Sequence, residues 1–73
     1  MKKILIIEDD MVFGRSIGNW LKKQGMECRH VTALAPARKA LASDEFDLVL
    51  ADLRLPDGNS TELLRWMHEK CLA

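Results

Sequence analysis

The chain has 73 residues, which allows one domain at most and lies near the size at which a single hydrophobic core becomes marginal. Its content of 48% hydrophobic and 30% charged residues is typical of a soluble globular protein. The 11 basic and 11 acidic residues give a formal net charge of +0, so the chain has no basic field for holding a polyanion. Direct nucleic acid binding by this chain is therefore not expected.

The cysteines, the histidines and the N-terminus carry no motif of their own. Cys28 and Cys71 lack the spacing of metal ligands, and without a secretory leader we expect reduced thiols in a cytoplasmic protein. His30 and His68 lack a partner motif and are expected to be solvated or half-buried rather than catalytic. Only the short apolar run 4–7 precedes an acidic cluster, too short for a signal-peptide core or a transmembrane helix, so no membrane association is expected.

The N-terminal segment predicts a buried strand followed by a helix. In the segment 3–7 every residue after Lys3 is apolar and most are β-branched, as in a strand buried between helix layers. Asp10 is a natural N-cap for the helix, and Gly25 offers the left-handed conformation that ends it. The expected apolar residues of this helix recur at helical spacing: Val12, Phe13, Ile17, Trp20 and Leu21.

A second strand–helix pair follows. Residues 26–31 predict a more polar strand, suited to a sheet edge. Thr32 is the expected cap of a helix over residues 33–43, in which Pro36 is acceptable only within the first turn. Asp44 and Glu45 break the helical pattern.

The third pair completes the order βαβαβα. Residues 46–53 predict a continuous apolar strand, and residues 56–58 a turn. Asn59 or Ser60 can cap a last helix that runs towards Lys70. Alternating strands and helices imply an α/β fold with right-handed crossovers and a parallel sheet, with the site at the carboxyl ends of the strands.

Acidic residues follow two of the predicted strands. With strand order 2-1-3, Glu8 and Asp9 after the first strand come to lie beside Asp52 after the third. Crowded carboxylates repel one another, and a hard cation such as Mg²⁺ relieves that repulsion. The sequence therefore predicts a magnesium site in which the central carboxylate, Asp52, can attack phosphorus and form an acyl phosphate.

Each carboxylate also has an ordinary structural interpretation. Asp9 and Asp10 could cap the first helix, Asp52 could simply end a strand, and Asp57 with Gly58 forms a common turn. For Asp10 we favour the cap, because it directly precedes the helical pattern.

Two segments carry a resemblance to a known family. Ile-Leu-Ile-Ile-Glu-Asp-Asp at 4–10 and Asp-Leu-Val-Leu-Ala-Asp-Leu-Arg-Leu-Pro-Asp-Gly at 47–58 resemble the receiver domain of bacterial two-component response regulators. Residues 52–64 are further similar to the NtrC-like branch, whose receivers regulate transcription activators. The resemblance implies a flavodoxin-like (CheY-like) sheet and phosphorylation of Asp52 by a sensor histidine kinase.

The same resemblance assigns the ligands of the metal. It implies that Mg²⁺ is held by Glu8, Asp9 and Asp52, together with the backbone carbonyl of Arg54. The role implied is that of a phosphoacceptor module for a transcription-regulating output, and not that of an enzyme.

The resemblance spans the whole chain, but the chain covers only the first three of the five βα units expected. We expect a truncated receiver without the last two units, which would supply a hydroxyl and a lysine for the phosphoryl group. The third strand would then be an open apolar edge, and antiparallel pairing of residues 46–53 would give a homodimer or higher oligomer.

Two other functions remain open at this point. A Mg²⁺-dependent phosphohydrolase with an aspartyl nucleophile would also place an aspartate after a buried strand. Against it, Asp52 is followed by Leu-Arg-Leu rather than by a second acid for general acid–base work. The chain could also be a non-signalling fragment whose assembly reflects its exposed edges.

Overall fold

Three parallel strands form the sheet on which the acidic residues sit. The computed structural model describes residues 2–69. In chain order the elements are β1 (Lys3–Ile7), α1 (Met11–Lys23), β2 (Glu27–Val31), α2 (Leu34–Ser43), β3 (Leu48–Ala51), β4 (Arg54–Leu55), β5 (Gly58–Asn59) and α3 (Ser60–Glu69). The sheet order is β2-β1-β3 and both pairings are parallel, which confirms the predicted topology.

Strand β1 lies at the centre of this sheet. It pairs with β2 from Lys3 to Ile7 and with β3 from Ile4 to Ile7, and its last four residues are buried. Helices cover both faces of the strand, so side chains of either orientation must be apolar. That requirement explains the uninterrupted run of isoleucine and leucine.

The third strand is shorter than predicted, because regular pairing covers only Leu48–Ala51 of residues 46–53. Single hydrogen bonds extend the contact at each end: the Asp47 N–H donates to Lys3 O (2.7 Å), and the Asp52 N–H donates to Ile7 O (3.0 Å). Within residues 2–69, β3 has β1 as its one neighbour, so its outer edge is unpaired.

The larger part of the core lies on the face covered by α2 and α3. The residues buried there are Leu5, Ile7, Leu34, Ala37, Ala40, Leu41, Leu55, Leu63 and Met67. Alternate residues of β1, Ile4 and Ile6, point to the opposite face and pack with Leu21 of α1.

Helix α1 approaches the sheet through a stripe that overlaps only partly with the one predicted: Leu21 is buried and Ile17 packs against the core, as expected. Its buried residues are Gly14, Gly18 and Leu21, which recur at helical spacing. Phe13 and Trp20, expected on the apolar side, are 55% and 60% exposed. Glycines face the sheet, so the apolar side chains beside them lie on the flank of the helix.

Both predicted ends of α1 are confirmed. The Phe13 N–H donates to Asp10 Oδ1 at 3.0 Å, which is the bond of an N-cap. Gly25 follows the helix with φ +85°, a conformation that residues with a Cβ rarely adopt.

The predicted cap of α2 is wrong. The helix begins at Leu34 after Ala33, and neither Ala33 nor Thr32 provides a side-chain cap. The Asp57 carboxylate accepts the N–H groups of Leu34 (2.7 Å) and Ala35 (2.9 Å) instead. Asp57 is therefore more than a turn residue, because it satisfies two backbone donors of a helix that lies 23 positions earlier in the chain.

We expect the Asp57 cap to make stability depend on pH. The N–H groups of Leu34 and then Ala35 hold the pKa of the Asp57 carboxyl below its ordinary value of 3.8. A lowered folded-state pKa means that this contribution is present above pH about 4 and is lost as pH falls through the folded pKa. Asp57→Ala should therefore lower the urea midpoint at pH 7, and the gap to wild type should close in acid.

Asp57→Asn is the matched control, since its amide oxygen still accepts a hydrogen bond but does not titrate. Its urea midpoint should fall less at pH 7, and the cap should not weaken in acid. A gap between wild type and Asp57→Ala that stays constant down to pH 3 would contradict the capping role.

The turn predicted at residues 56–58 is confirmed, and it joins the two short strands of an antiparallel ribbon between β3 and α3. Arg54 pairs with Asn59, and Leu55 with Gly58. Asn59 then caps α3, because its Oδ1 accepts the N–H of Thr61 at 2.8 Å. The predicted helix extension to Lys70, and Cys71, lie outside the described residues. None of the helices within residues 2–69 is long and apolar enough to cross a bilayer.

Candidate functional site

Three carboxylates meet at the carboxyl ends of β1 and β3. One oxygen each from Glu8, Asp9 and Asp52 lies within 4.8 Å of the other two. The parallel pairing of β1 and β3 brings the three carboxylates together, and the hydrogen bond from Asp52 N–H to Ile7 O fixes the position of Asp52 relative to the end of β1. The structure confirms the convergence inferred from the sequence.

Two hydrogen bonds hold Glu8, the first residue of the acidic pair after β1. The Glu8 N–H donates to Val31 O (3.0 Å), and Glu8 Oε1 accepts the Asp10 N–H (3.1 Å). The Asp10 carboxylate is engaged as the cap of α1, so Asp10 belongs to the helix and not to the cluster. This outcome agrees with the interpretation favoured from the sequence.

The carboxylates of the cluster have no basic partner in the described part of the chain. The one ion pair within residues 2–69 joins Lys3 to Asp44, at the opposite end of the sheet. Glu8 is half-buried, whereas Asp9 and Asp52 are exposed. Carboxylates this close repel one another, so a cation in their midst would be favoured.

This donor set fits Mg²⁺. The ion takes oxygen ligands, gives up its water reluctantly, and is commonly bound through one or two carboxylates with the remaining positions left to water and phosphate. Two exposed carboxylates and one half-buried carboxylate suit such a partly hydrated ion. Arg54, predicted to add its backbone carbonyl, begins β4 two positions after Asp52, and its role as a ligand stays a prediction.

A groove of about 350 Å³ leads from the cluster along β3, on the side of α1. The lining residues are Ile6, Ile7, Glu8, Phe13, Ile17, Leu50, Ala51 and Asp52. Asp52 is therefore open to a phosphorylated molecule in solution, while the groove beside it is mostly apolar. No lysine or hydroxyl side chain of residues 2–69 lines the groove.

Sequence reasoning missed one residue beside the site. His30 was expected to be solvated or half-buried without a role, and it is half-buried. Its Nε2 lies 2.8 Å from the carbonyl oxygen of Glu8, the first residue of the acidic pair. The only signal in the sequence is its place one residue before the end of β2, the neighbour of β1.

Comparison with known proteins identifies the family. Residues 4–72 match the family model described as the response regulator receiver domain. The swarming motility regulation protein RssB of Serratia marcescens is 39% identical over 64 residues, which cover 86% of this chain and 29% of RssB. The transcriptional regulatory protein QseB of Escherichia coli O157:H7 is 38% identical over 68 residues, 93% of this chain and 31% of QseB.

Solved structures agree with the sequence matches. The non-phosphorylated receiver domain of HemR from Leptospira biflexa superposes with a TM-score of 0.90 at 31% identity, over 96% of this chain and 56% of that one. The MaeR response regulator bound to beryllium trifluoride gives a TM-score of 0.88 at 36% identity, over 99% of this chain and 61% of that one. The chain thus spans less than a third of these two curated relatives and somewhat over half of the two solved chains.

The family match, the partial CheY-like sheet and the place of the acidic residues after β1 and β3 lead to one conclusion. This chain belongs to the response regulator receiver domains of two-component signalling.

Proposed function

We propose that Asp52 accepts a phosphoryl group from a sensor histidine kinase in a Mg²⁺-dependent reaction. The observation that carries this proposal is the convergence of Glu8, Asp9 and Asp52 within 4.8 Å. The proposed ligands of the metal are these three carboxylates and the backbone carbonyl of Arg54. The family supports the role, since receiver domains are phosphoacceptors rather than enzymes of the usual kind.

The three carboxylates have two roles in this proposal: Asp52 is the nucleophile, and Glu8 and Asp9 supply oxygens for the metal. An Asp52 oxygen attacks phosphorus in line, the bond from phosphorus to the kinase histidine breaks, and an acyl phosphate forms on Asp52. Bound Mg²⁺ supplies the positive charge that offsets the phosphoryl oxygens and the carboxylates. Two hydrogen bonds anchor Glu8 at the end of β1, so its carboxylate is held in place before the metal binds, and Asp9 follows it directly in the chain.

The phosphohydrolase alternative is less well supported. Asp52 is followed by Leu53 and Arg54, neither of which is an acid that could protonate a leaving group or activate water.

We further propose that phosphorylation of this chain controls a transcription-regulating output in the cytoplasm. RssB and QseB are named as regulators, and the chain matches less than a third of either protein. The nature of the output and the assignment to the NtrC-like branch stay predictions.

The phosphoacceptor role is tested by intact-mass spectrometry after incubation with acetyl phosphate. With Mg²⁺ present, we expect one phosphoryl increment per chain, which maps to Asp52 after borohydride trapping and digestion. Chelation of the metal with EDTA should abolish it. An increment that persists in EDTA would contradict the metal requirement, and no increment with Mg²⁺ bound would contradict acceptance by this chain.

We also propose that the free edge of β3 pairs with a second copy. Leu48 at this edge is 50% exposed, and the backbone groups on its outer side have no strand partner within residues 2–69. Antiparallel pairing centred between Val49 and Leu50 would place Asp47 opposite Asp52, so like charges would weaken the dimer.

Sedimentation velocity tests this assembly. We expect a concentration-dependent shift from monomer to dimer, a stronger association for Asp47→Asn, and a weaker one for Leu48→Lys, since a lysine on an edge strand opposes pairing. A monomer at every concentration, or no response to either substitution, would contradict pairing through β3.

A further inference from the structure

The imidazole of His30 extends from β2 to the end of β1. Its Nε2 lies 2.8 Å from Glu8 O, and a carbonyl oxygen can only accept a hydrogen bond. Nε2 must therefore carry the proton and donate. The sequence separation of 22 positions makes this a tertiary contact rather than a local turn.

The bond lies where the regular pairing of β1 with β2 stops. The last paired residues are Ile7 and Val31, and the Glu8 N–H still donates to Val31 O at 3.0 Å. The Glu8 carbonyl points past this last pair and takes its donor from the His30 side chain instead. That carbonyl and the Asp9 N–H share one planar peptide unit, so a donor to it limits rotation of the link between the two acidic residues.

Gly14 on α1 provides the space that the ring occupies. A Cβ built at this buried glycine would lie 2.3 Å from both Cε1 and Nε2 of His30, well inside any allowed contact. A glycine inside a helix is unfavourable compared with alanine, so its presence here has a steric reason. The hydrogen bond between β2 and the end of β1 therefore depends on the space that α1 leaves at Gly14.

We infer that His30 is a positioning residue for the acidic site: its Nε2–H fixes the peptide between Glu8 and Asp9, so that both carboxylates face Asp52. This inference rests on the proposed Mg²⁺ site. The residue touches neither the metal ligand atoms nor the phosphoryl group, and it acts through the backbone of Glu8. Substitution of a group that orients a metal ligand commonly lowers the affinity for the metal.

Two substitutions of similar size separate the donor from the packing. Glutamine at position 30 places an amide N–H near the position of Nε2, whereas methionine has a similar length and shape without a donor. The dissociation constant of Mg²⁺ is measured by isothermal titration calorimetry on the full 73-residue chain. His30→Met should weaken binding about two- to tenfold, the range of one net hydrogen bond, and His30→Gln should bind as wild type does.

Gly14→Ala is a second way to break the same hydrogen bond. Its methyl group must displace the imidazole, so Mg²⁺ affinity should fall as in His30→Met, although alanine favours the helix. The double variant Gly14→Ala/His30→Met should bind Mg²⁺ no more weakly than either single variant, because both remove one interaction.

Three outcomes overturn the inference. Equal affinity of wild type, His30→Gln and His30→Met means that the bond does not position the site. Equal weakening of both His30 variants means that the ring acts by packing alone. Additive effects in the double variant mean that Gly14 and His30 act separately.

The failure of the proposed function has a different signature. If the wild-type chain itself does not bind Mg²⁺, the metal site is wrong and the positioning role falls with it. If wild type binds and the variants do not differ, only the inference fails. The carbonyl carbon chemical shift of Glu8, measured without metal, reads the bond directly, because that carbonyl accepts it. Similar shifts in wild type and His30→Gln with a different shift in His30→Met support the inference, and equal shifts in all three oppose it.

Discussion

Asp52→Asn is expected to abolish phosphoryl incorporation completely, because the asparagine amide has nearly the shape of the carboxylate but no nucleophilic oxygen. The substitution also removes one of the three charges of the cluster. After incubation with Mg²⁺ and acetyl phosphate, intact-mass spectrometry should show only the unmodified variant. Its circular dichroism spectrum should match that of wild type, since Asp52 is exposed.

Asp47→Asn, assayed at a concentration at which the chain is monomeric, is the matched control for this loss. Asp47 lies at the other end of β3, where its carboxylate accepts the Lys3 N–H at 2.7 Å, far from the cluster. This variant should still take up one phosphoryl group. Modification of Asp52→Asn at the wild-type level would show that another carboxylate, with Asp9 the first candidate, is the acceptor.

Leu5→Ala is expected to unfold much of the protein. The Leu5 side chain is fully buried at the centre of the larger core cluster. Truncation of a buried leucine to alanine typically costs about 2–5 kcal/mol. At about 0.05–0.15 kcal/mol per residue, the whole chain has a stability of only about 4–11 kcal/mol. Urea unfolding followed by circular dichroism should show a large drop in the midpoint, or no folded baseline.

Leu64→Ala makes the same chemical change at a surface position. Leu64 is 61% exposed on α3, and surface substitutions of this kind usually change stability by no more than about 0.5 kcal/mol. The midpoint should therefore stay near that of wild type. Equal midpoints for the two alanine variants would show that β1 is not the centre of the core.

Local patterns were sufficient to predict β1, the cap at Asp10 and the end of α1 at Gly25, since each depends on neighbouring residues alone. The meeting of Glu8 and Asp9 with Asp52 was also predictable. Parallel strands with right-handed crossovers leave few arrangements, and two carboxylate-bearing strand ends then fall on one edge.

The features that were not predicted depend on distant contacts or on small residues. The stripe of α1 that faces the sheet contains Gly14 and Gly18, which a search for apolar side chains overlooks. The cap of α2 comes from Asp57, whereas local spacing favoured Thr32. The hydrogen bond from His30 to Glu8 O joins residues on two different strands, and no spacing rule along the chain predicts it.

The cap of α2 has a consequence for local opening of the molecule. Asp57 lies in the connection that follows Asp52, and its carboxylate accepts the N–H groups of Leu34 and Ala35 at the start of α2. The first turn of α2 and the segment after Asp52 therefore form one cooperative unit, in which neither can fray without breaking the same two hydrogen bonds. A disturbance that begins beside Asp52 thus extends to the start of α2, on the face of the sheet that carries the larger core.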